Sequence, residues 1–397
     1  MNELLNIINE KGYPKAIVDY KRNFKKAIFD FDEILYMDYK KNIFINDKKI
    51  YGDPIDIWQS YIDSWKKTKN NGEIAAVGFF SYDFKNILLP DFPFKMCPNN
   101  KTPYFWFAKP SESINFPLCK YPHKKQKIKL KQNLMGIENF DKIINKIKKY
   151  LYEGEVYQIN FTQPIIFDYS GNAFDLYMQI YNKAIPEFGF FLDIDDYQVL
   201  SFSPEKFFTK DKKMIKSYPI KGTIKRLDDR NKDYSQIKRL KNSSKDKAEH
   251  LMIVDLLRND IGKIAEFGSV KVNNLFNIKT FETIHHMESE VVGKPLKEIR
   301  EIDIIKSLFP GGSITGAPKY RAMQIIDSLE NYNRGLYTGC IGTIMGNGDM
   351  DFNICIRTMT INNNTAVYPV GGGIVWDSTT QSEFEEAKEK ANILNEQ

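Results

Sequence analysis

Apolar positions fall first into short dense runs and later into longer periodic ones. Ile74-Ala75-Ala76-Val77-Gly78-Phe79-Phe80-Ser81-Tyr82 and Thr102-Pro103-Tyr104-Phe105-Trp106-Phe107 are rich in aromatic residues and read as strands. Further along, Ile143, Ile144, Ile147 and Leu151 recur at helical spacing between Phe140 and Glu153, and Gly154 follows as a C-cap. Val156 to Thr162 alternates in the manner of a strand. A longer helix is predicted from Ser243-Ser244 through Leu251, Val254, Leu257 and Ile261. Thr343-Ile344-Met345, Asn347-Gly348-Asp349 and Phe352 to Met359 spell a hairpin, and a last helix begins near Ser382. The mixture predicts an α+β fold with antiparallel strands and helices laid against them. The pattern changes between residues 110 and 135, which divides the chain into a β-rich N-terminal region, 1–120, and a second unit, 135–397.

Composition narrows the function classes. The 397 residues are 42% hydrophobic and 14% aromatic, enough for a large core. Mean hydropathy is −0.45 and no run of 18 apolar residues occurs, which argues against a membrane span. The start, Met1-Asn2-Glu3-Leu4-Leu5, lacks the features of a signal peptide, so the expected address is the cytoplasm. Cys97, Cys119, Cys340 and Cys355 are widely spaced and read as buried thiols, with neither a zinc site nor a disulfide framework expected. A net charge of +6 permits acidic partners without arguing for them. The basic stretch His123 to Lys131 has no interleaved aromatics. It reads as a solvated strand or linker, with a nucleic-acid patch as the alternative.

Three groups of residues could carry chemistry. In Ser203-Pro204-Glu205-Lys206-Phe207, Glu205 sits where a strand is predicted to end. In Ser217-Tyr218-Pro219-Ile220-Lys221-Gly222-Thr223, Lys221 is flanked by a proline and a glycine. A lysine held beside an acid and partly desolvated titrates low enough to act as a nucleophile, although a surface ion pair would use the same residues. Asp246 and Glu249 share a helix face at a spacing of three, and Glu383 and Glu386 repeat it. Brought together, the two faces form an oxygen-only site suited to magnesium. Apart, they are ordinary first-turn acids.

The third group is a pair of glycine-rich loops. Pro310-Gly311-Gly312-Ser313-Ile314-Thr315-Gly316-Ala317-Pro318-Lys319 leads into a helix, but Ala317 and Pro318 stand where a P-loop requires Lys and Ser/Thr. It is therefore not a nucleotide site, although amides at a helix start can hold a carboxylate. Gly371-Gly372-Gly373 could do the same. His286, Tyr337 and Arg357 are further pocket candidates. Arg357, on the apolar strand predicted over Phe352 to Thr358, calls for an anionic partner, either a substrate carboxylate or an internal acid. Adjacent His285 and His286 cannot both face one pocket from a strand, so one of them is structural.

In order and together, these segments resemble the chorismate-utilising enzymes: anthranilate, aminodeoxychorismate, isochorismate and salicylate synthases. Tyr157-Gln158-Ile159-Asn160, Ser203-Pro204-Glu205, Pro219 to Thr223, Glu249 to Asp260, His285-His286-Met287, Pro310 to Lys319 and Gly371 through Lys390 carry the resemblance, nearly continuously from about residue 140 onward. It implies two large, mostly antiparallel sheets packed as a sandwich with helices outside. It implies Mg2+ held directly by Glu249 and Glu386, with Asp246 and Glu383 supporting through water. Arg357, Tyr337 and the amides of Gly372 and Gly373 would grip the enolpyruvyl carboxylate of chorismate. Gly222, Thr223, His286, Thr315, Gly371 and Lys390 would line the pocket, and Glu205 would protonate the departing 4-hydroxyl.

Two positions separate the branches of the family. Isochorismate and salicylate synthases carry a water-activating lysine where this chain has Gln158, which cannot take a proton. Anthranilate synthases typically have alanine where this chain has Lys221. Aminodeoxychorismate synthases resemble the chain at that lysine, which attacks ring carbon 2 and is then displaced by ammonia adding at carbon 4. The resemblance thus implies a glutaminase subunit supplying ammonia and a separate lyase taking the product, with neither activity expected within Met1 to Gln397. Anthranilate synthesis is the nearest alternative and a non-catalytic chorismate-binding protein a more distant one. In the N-terminal third, Ala27-Ile28-Phe29-Asp30-Phe31-Asp32 departs from the Leu-Leu-Glu-Ser-like strand with which family members hold tryptophan.

Overall fold

The computed structural model describes residues 2–21, 24–92, 94, 101–117, 123–281 and 284–391. Cys97 and Cys119 lie outside the described residues, whereas Cys340 and Cys355 are buried thiols.

Two sheets account for most of the strands. In the first, of ten strands, the path runs from the short strand Gly316–Ala317 through Gln158–Tyr169, Thr365–Ile374, Thr358–Asn362, Tyr197–Ser203 and Phe188–Ile194 to Ala16–Lys21, Phe24–Ile28 and Ser113–Pro117. In the second, of twelve, Ile220–Lys225 pairs with Ile284–Gly293. The path then runs through Ile215–Ser217, Lys206–Lys210, Met350–Ile354 and Cys340–Met345 to Ile74–Phe80, Phe105–Pro110 and Phe31–Met37. Strands from the first 120 residues therefore complete both sheets, each pairing edge to edge with strands from beyond residue 180.

The sheets pack face to face. Val18, Phe190, Leu192 and Val199 from the first meet Val77, Phe79, Trp106 and Ile341 from the second in one buried cluster. Burial on both faces explains why Ile74–Phe80 reads as a continuous apolar run rather than an alternating one. Helices cover the outer faces. Trp58 and Trp65 of Pro54–Lys67, with Ile253, Val254, Leu257 and Ile261 of Ser244–Gly262, lie on the second sheet, and Leu176, Tyr177 and Ile180 of Ala173–Ala184 lie on the first. Each such side chain contributes on the order of 1.5–3 kcal/mol when taken out of water. No helix among the described residues is long and apolar enough to cross a membrane.

The predicted helices fold close to their expected limits. Ile137–Tyr152 buries Ile144 and Ile147 and ends before Gly154, whose φ is +72°. Ser244–Gly262 starts behind Ser243, whose side chain accepts a hydrogen bond from the Asp246 N–H at 3.2 Å. Leu251 of that helix is 42% exposed, so the buried stripe runs through His250, Ile253, Val254, Leu257 and Ile261 instead.

The hairpin holds over Cys340–Met345 and Met350–Ile354, but the strand predicted to continue to Met359 does not. It breaks at Cys355 to Arg357, where Arg357 adopts a φ of +48°. The chain then leaves the second sheet and enters the first as Thr358–Asn362. Continuous apolarity concealed the break, because both flanking strands are buried.

Candidate active site

One end of the sandwich gathers most of the predicted residues. Ile220–Lys225 pairs with Ile284–Gly293, setting Lys221 opposite Met287 and Thr223 opposite His286, with a register irregularity between them. Gly222 occupies that irregularity at a φ of +74°, which L side chains rarely adopt. A Cβ there would stand 3.0 Å from the Asp246 Cβ, so glycine is what lets this strand press against Ser244–Gly262. Burial lowers the pKa of the Lys221 ammonium, although the charges of Glu249 and Glu205 oppose the shift.

The floor of the cleft is bare backbone. Gly371, Gly372 and Gly373 run along Thr365–Ile374 opposite Thr162, Phe161 and Asn160. A Cβ on Gly373 would lie 3.1 Å from Lys221 Nζ and 3.1 Å from Gln158 Nε2. One on Gly372 would lie 3.4 Å from Glu386 Oε1, 3.5 Å from Glu383 Oε2 and 3.7 Å from Lys390 Nζ. Side chains here would fill the space those groups share. Gln158 is fully buried, yet neither polar atom of its amide has a hydrogen-bond partner. Such a group is costly unless something else satisfies it.

Glu205 sits between Tyr197–Ser203 and Lys206–Lys210, where the sequence placed a strand end. The turn is pinned by backbone and hydroxyl contacts. Glu205 N–H donates to Ser203 Oγ at 3.2 Å, and Ile354 N–H donates to the Glu205 carbonyl at 3.1 Å. Its carboxylate accepts a 2.8 Å hydrogen bond from the Ser313 hydroxyl. Burial raises its pKa to about 7, against the opposing effects of Ser313 and Lys221. The acid is thus biased toward its protonated form and the nearby lysine toward its neutral one, a pairing suited to general-acid and nucleophilic roles.

The four acids converge in kind, if not at ligand spacing. Burial raises the pKa of Glu249, reinforced by the charges of Asp246 and Glu383 and opposed by Lys221 and Lys245. Burial also raises Glu383, reinforced by Glu386 and opposed by a Ser378 hydrogen bond. In Glu386 burial pushes upward too, but Lys390, joined by the charges of Lys221 and Lys245, holds the carboxyl low. Mutual repulsion among neighbouring carboxylates is what a hard divalent cation relieves, so the donor set, half-buried at Asp246, Glu249 and Glu383 and exposed at Glu386, fits magnesium in kind. Among the described residues no three His, Cys, Asp or Glu side chains stand close enough to share an ion. Glu386 instead pairs with Lys390 at 2.7 Å, and Glu249 lies 3.9 Å from Lys245.

The remaining candidates divide. His286 is buried, its Nε2 has no hydrogen-bond partner, and burial followed by the charges of Lys279 and Arg357 lowers its pKa to about 4. It is neutral at pH 7. His285, on the other face, is bonded to Thr280 and to Asp233 and is the structural member of the pair. Arg357 stands at the crossover between sheets rather than within a strand. Its charge acts on His286 and on Tyr368, and Tyr337 is buried. Thr315 is buried with its hydroxyl donating to the Gly311 carbonyl at 2.8 Å, so it shapes the glycine-rich loop. Lys390 Nζ donates to the Gly371 carbonyl at 2.7 Å.

Sequence reasoning missed three residues at or behind this site. Ser313 holds Glu205, and its place in the glycine-rich loop was a usable signal. Buried His250 contacts Ser289 at 2.7 Å, and burial followed by the Lys221 charge lowers its pKa to about 4. Arg334 is buried against Glu330 and reaches the carbonyls of Asn160 and Ile314, with nothing in the local pattern to mark it.

Known proteins resemble this chain over much of its length. A family model described as "chorismate binding enzyme" matches residues 15–396. Aminodeoxychorismate synthase component 1 of Escherichia coli (strain K12) is 41% identical over 266 residues, covering 67% of this chain. The match spans 59% of that relative's length. Anthranilate synthase component 1 of Saccharolobus solfataricus is 30% identical over 368 residues, 87% of this chain and 86% of the relative. Among solved structures, anthranilate synthase component I from Streptococcus pneumoniae TIGR4 superposes with a TM-score of 0.81 at 25% identity, over 94% of this chain and 92% of that one.

Proposed function

This chain belongs to the chorismate-binding enzyme family, and within it we propose an aminodeoxychorismate synthase component that replaces the 4-hydroxyl of chorismate by an amine. The observation that carries the reading is Lys221. Burial favours its neutral amine, its Nζ shares the space over Gly373 with the Gln158 amide, and its charge is felt by Glu205, itself biased toward the protonated acid.

The chemistry follows from those two protonation states. The Lys221 Nζ lone pair forms a bond to ring carbon 2, the ring double bonds shift, and the bond from carbon 4 to its hydroxyl breaks. Glu205 gives that hydroxyl a proton, and it leaves as water. Ammonia then adds at carbon 4, the double bonds shift back, and Lys221 is expelled. Gln158 orients substrate but cannot deprotonate water, which protects the intermediate from hydrolysis. Arg357, Tyr337 and the amides of Gly372 and Gly373 bind the enolpyruvyl carboxylate, while Gly222, Thr223, His286, Thr315, Gly371 and Lys390 line the pocket. Glu249 and Glu386, supported by Asp246 and Glu383, would hold Mg2+, whose charge neutralises the ring carboxylate. Ammonia comes from a separate glutamine amidotransferase in the cytoplasm, and a separate lyase takes the product toward p-aminobenzoate.

Purified chain incubated with chorismate, Mg2+ and an ammonium salt should yield p-aminobenzoate only when an aminodeoxychorismate lyase is added. The two anthranilate synthases compared above, which match 87% and 94% of the chain, favour a second reading. Anthranilate and pyruvate without lyase would establish that one instead.

Two further outcomes test the assignment. With Glu205 as the acid, turnover should fall as pH rises above about 7, where the carboxyl loses its proton. The Ser313 hydrogen bond works to lower that pKa, so Ser313→Ala should shift the alkaline limb to higher pH; an unmoved limb would remove Glu205 from the role. Glu386→Gln should raise the magnesium concentration needed for half-maximal rate by about tenfold or more, the scale on which changes around a metal site act. Wild-type activity at limiting magnesium would refute the ligand assignment.

A further inference from the structure

The two acids assigned to direct contact with the cation share a local arrangement: each faces a lysine one turn away on its own helix. Lys245 precedes Glu249 by four residues on Ser244–Gly262, with its ammonium 3.9 Å from Glu249 Oε1. Lys390 follows Glu386 by four on Thr380–Ala391, with its ammonium 2.7 Å from Glu386 Oε1. An i, i+4 pair runs along the helix surface, so each lysine draws its carboxylate along its own helix rather than across to the other. Among the described residues, accordingly, no three acids stand close enough to share an ion.

Lys390 does more than pair with an acid. Its Nζ also donates to the Gly371 carbonyl at 2.7 Å, and it shares the space over Gly372 with Glu386 Oε1 and Glu383 Oε2. An ammonium set between a carboxylate and a main-chain carbonyl has the oxygen surroundings that a hard divalent ion takes. Lys245 is more exposed, yet its charge acts on Glu249, Glu383 and Glu386, and that of Lys390 acts on Glu383 and Glu386. Neither lysine is needed to hold the fold, because both pairs lie on helix surfaces that water reaches.

With Glu249 and Glu386 as the Mg2+ ligands, the reading on which this inference rests, we propose that Lys245 and Lys390 are positioning residues that act against the metal. They are resident counter-ions, which hold the two ligand acids apart and must be displaced before those acids can turn to a shared cation. Cation affinity is thereby set below what the four carboxylates alone would give. The sign is the reverse of that expected for a residue that helps to build the site. Accessible ion pairs are weak, so each lysine should cost a few-fold in affinity rather than orders of magnitude.

Mn2+ titrated into the chelator-stripped full chain, with the free ion counted by electron paramagnetic resonance and Mg2+ as competitor, measures this without turnover. Lys245→Met/Lys390→Met should bind both ions about fivefold tighter or more. Methionine is a straight-chain helix former like lysine, so circular dichroism should match the wild type. Lys388→Met is the control. It removes a charge from the same helix, but from a lysine paired with Glu385, and should leave affinity unchanged. Unchanged or weaker binding by the double variant, or equal tightening in Lys388→Met, would overturn the exchange while leaving the ligand assignment in place. An absence of binding, or binding that Glu386→Gln leaves intact, would overturn the ligand assignment and the exchange with it.

Discussion

Lys221→Ala is expected to lower kcat/KM for carbon-4 amination by about three orders of magnitude or more, the scale on which removal of a covalent nucleophile acts. The loss should fall on kcat rather than KM, because the residues proposed to grip the enolpyruvyl carboxylate lie on other elements and the backbone of Gly222 and Thr223 is left in place. Folding should be untouched: residue 221 contributes main-chain pairing opposite Met287, and alanine keeps both that pairing and a Cβ. The variant also carries an internal check. The Lys221 charge works to lower the Glu205 pKa, so its removal should raise that pKa further, and any residual activity should persist to higher pH than in the wild type. High ammonium should restore part of the turnover: ammonia enters the vacated space over Gly373 and attacks carbon 2 as the 4-hydroxyl leaves, and a second ammonia then adds at carbon 4 and expels the first. Mass spectrometry of the denatured wild type, held with chorismate but without ammonia, should detect a protein adduct that Lys221→Ala lacks. Wild-type amination by the variant, without an added nucleophile, would end the covalent mechanism.

The legible parts of this fold are those whose causes are local. The helix Ser244–Gly262 declares itself through a serine cap and a buried stripe, and Asn347-Gly348-Asp349 marks the hairpin through turn chemistry. Pairing between distant strands is a different matter. That Ala16–Lys21 lies against Phe188–Ile194, and Ile74–Phe80 against Cys340–Met345, depends on which apolar faces complement one another across the sandwich, and no spacing records it. Arg357 is the instructive case. On a continuous apolar strand it called for an anion, and at the crossover between sheets it still does, but the crossover lies between two buried strands and leaves no mark in their hydrophobicity. The acids were legible as two i, i+3 pairs, whereas Glu386 resting on Lys390 was not, because that contact is a choice of rotamer. Resemblance carried the roles of Lys221 and Glu205. Their opposed pKa shifts came from burial, which only the folded chain shows.

The largest stability effect should come from Arg334. Arg334 is 4% exposed, and its guanidinium makes a two-point contact with Glu330, Nε to Oε2 at 2.9 Å and Nη2 to Oε1 at 2.7 Å. It also donates to the Asn160 carbonyl at 2.6 Å and to the Ile314 carbonyl at 2.9 Å, joining the strand that carries Gln158 to the glycine-rich loop that carries Ser313. On the other side, the Glu330 carboxylate accepts from both the N–H and the hydroxyl of Thr162. Arg334→Met would leave Glu330 as a buried charge without its counter-ion, which costs about 3–5 kcal/mol. With an unfolding entropy of about 2.1 cal/mol/K per residue over 397 residues, that loss corresponds to a fall of about 4–6 °C in the thermal midpoint. The sign of the second substitution separates this account from simple loss of packing. Glu330→Gln added to Arg334→Met removes the stranded charge, so the double variant should unfold no lower than Arg334→Met alone, and higher if charge burial is the main cost. A double variant that unfolds at the sum of the two single losses would mean that the ion pair is incidental and that the cost lies in the bonds to Asn160 and Ile314.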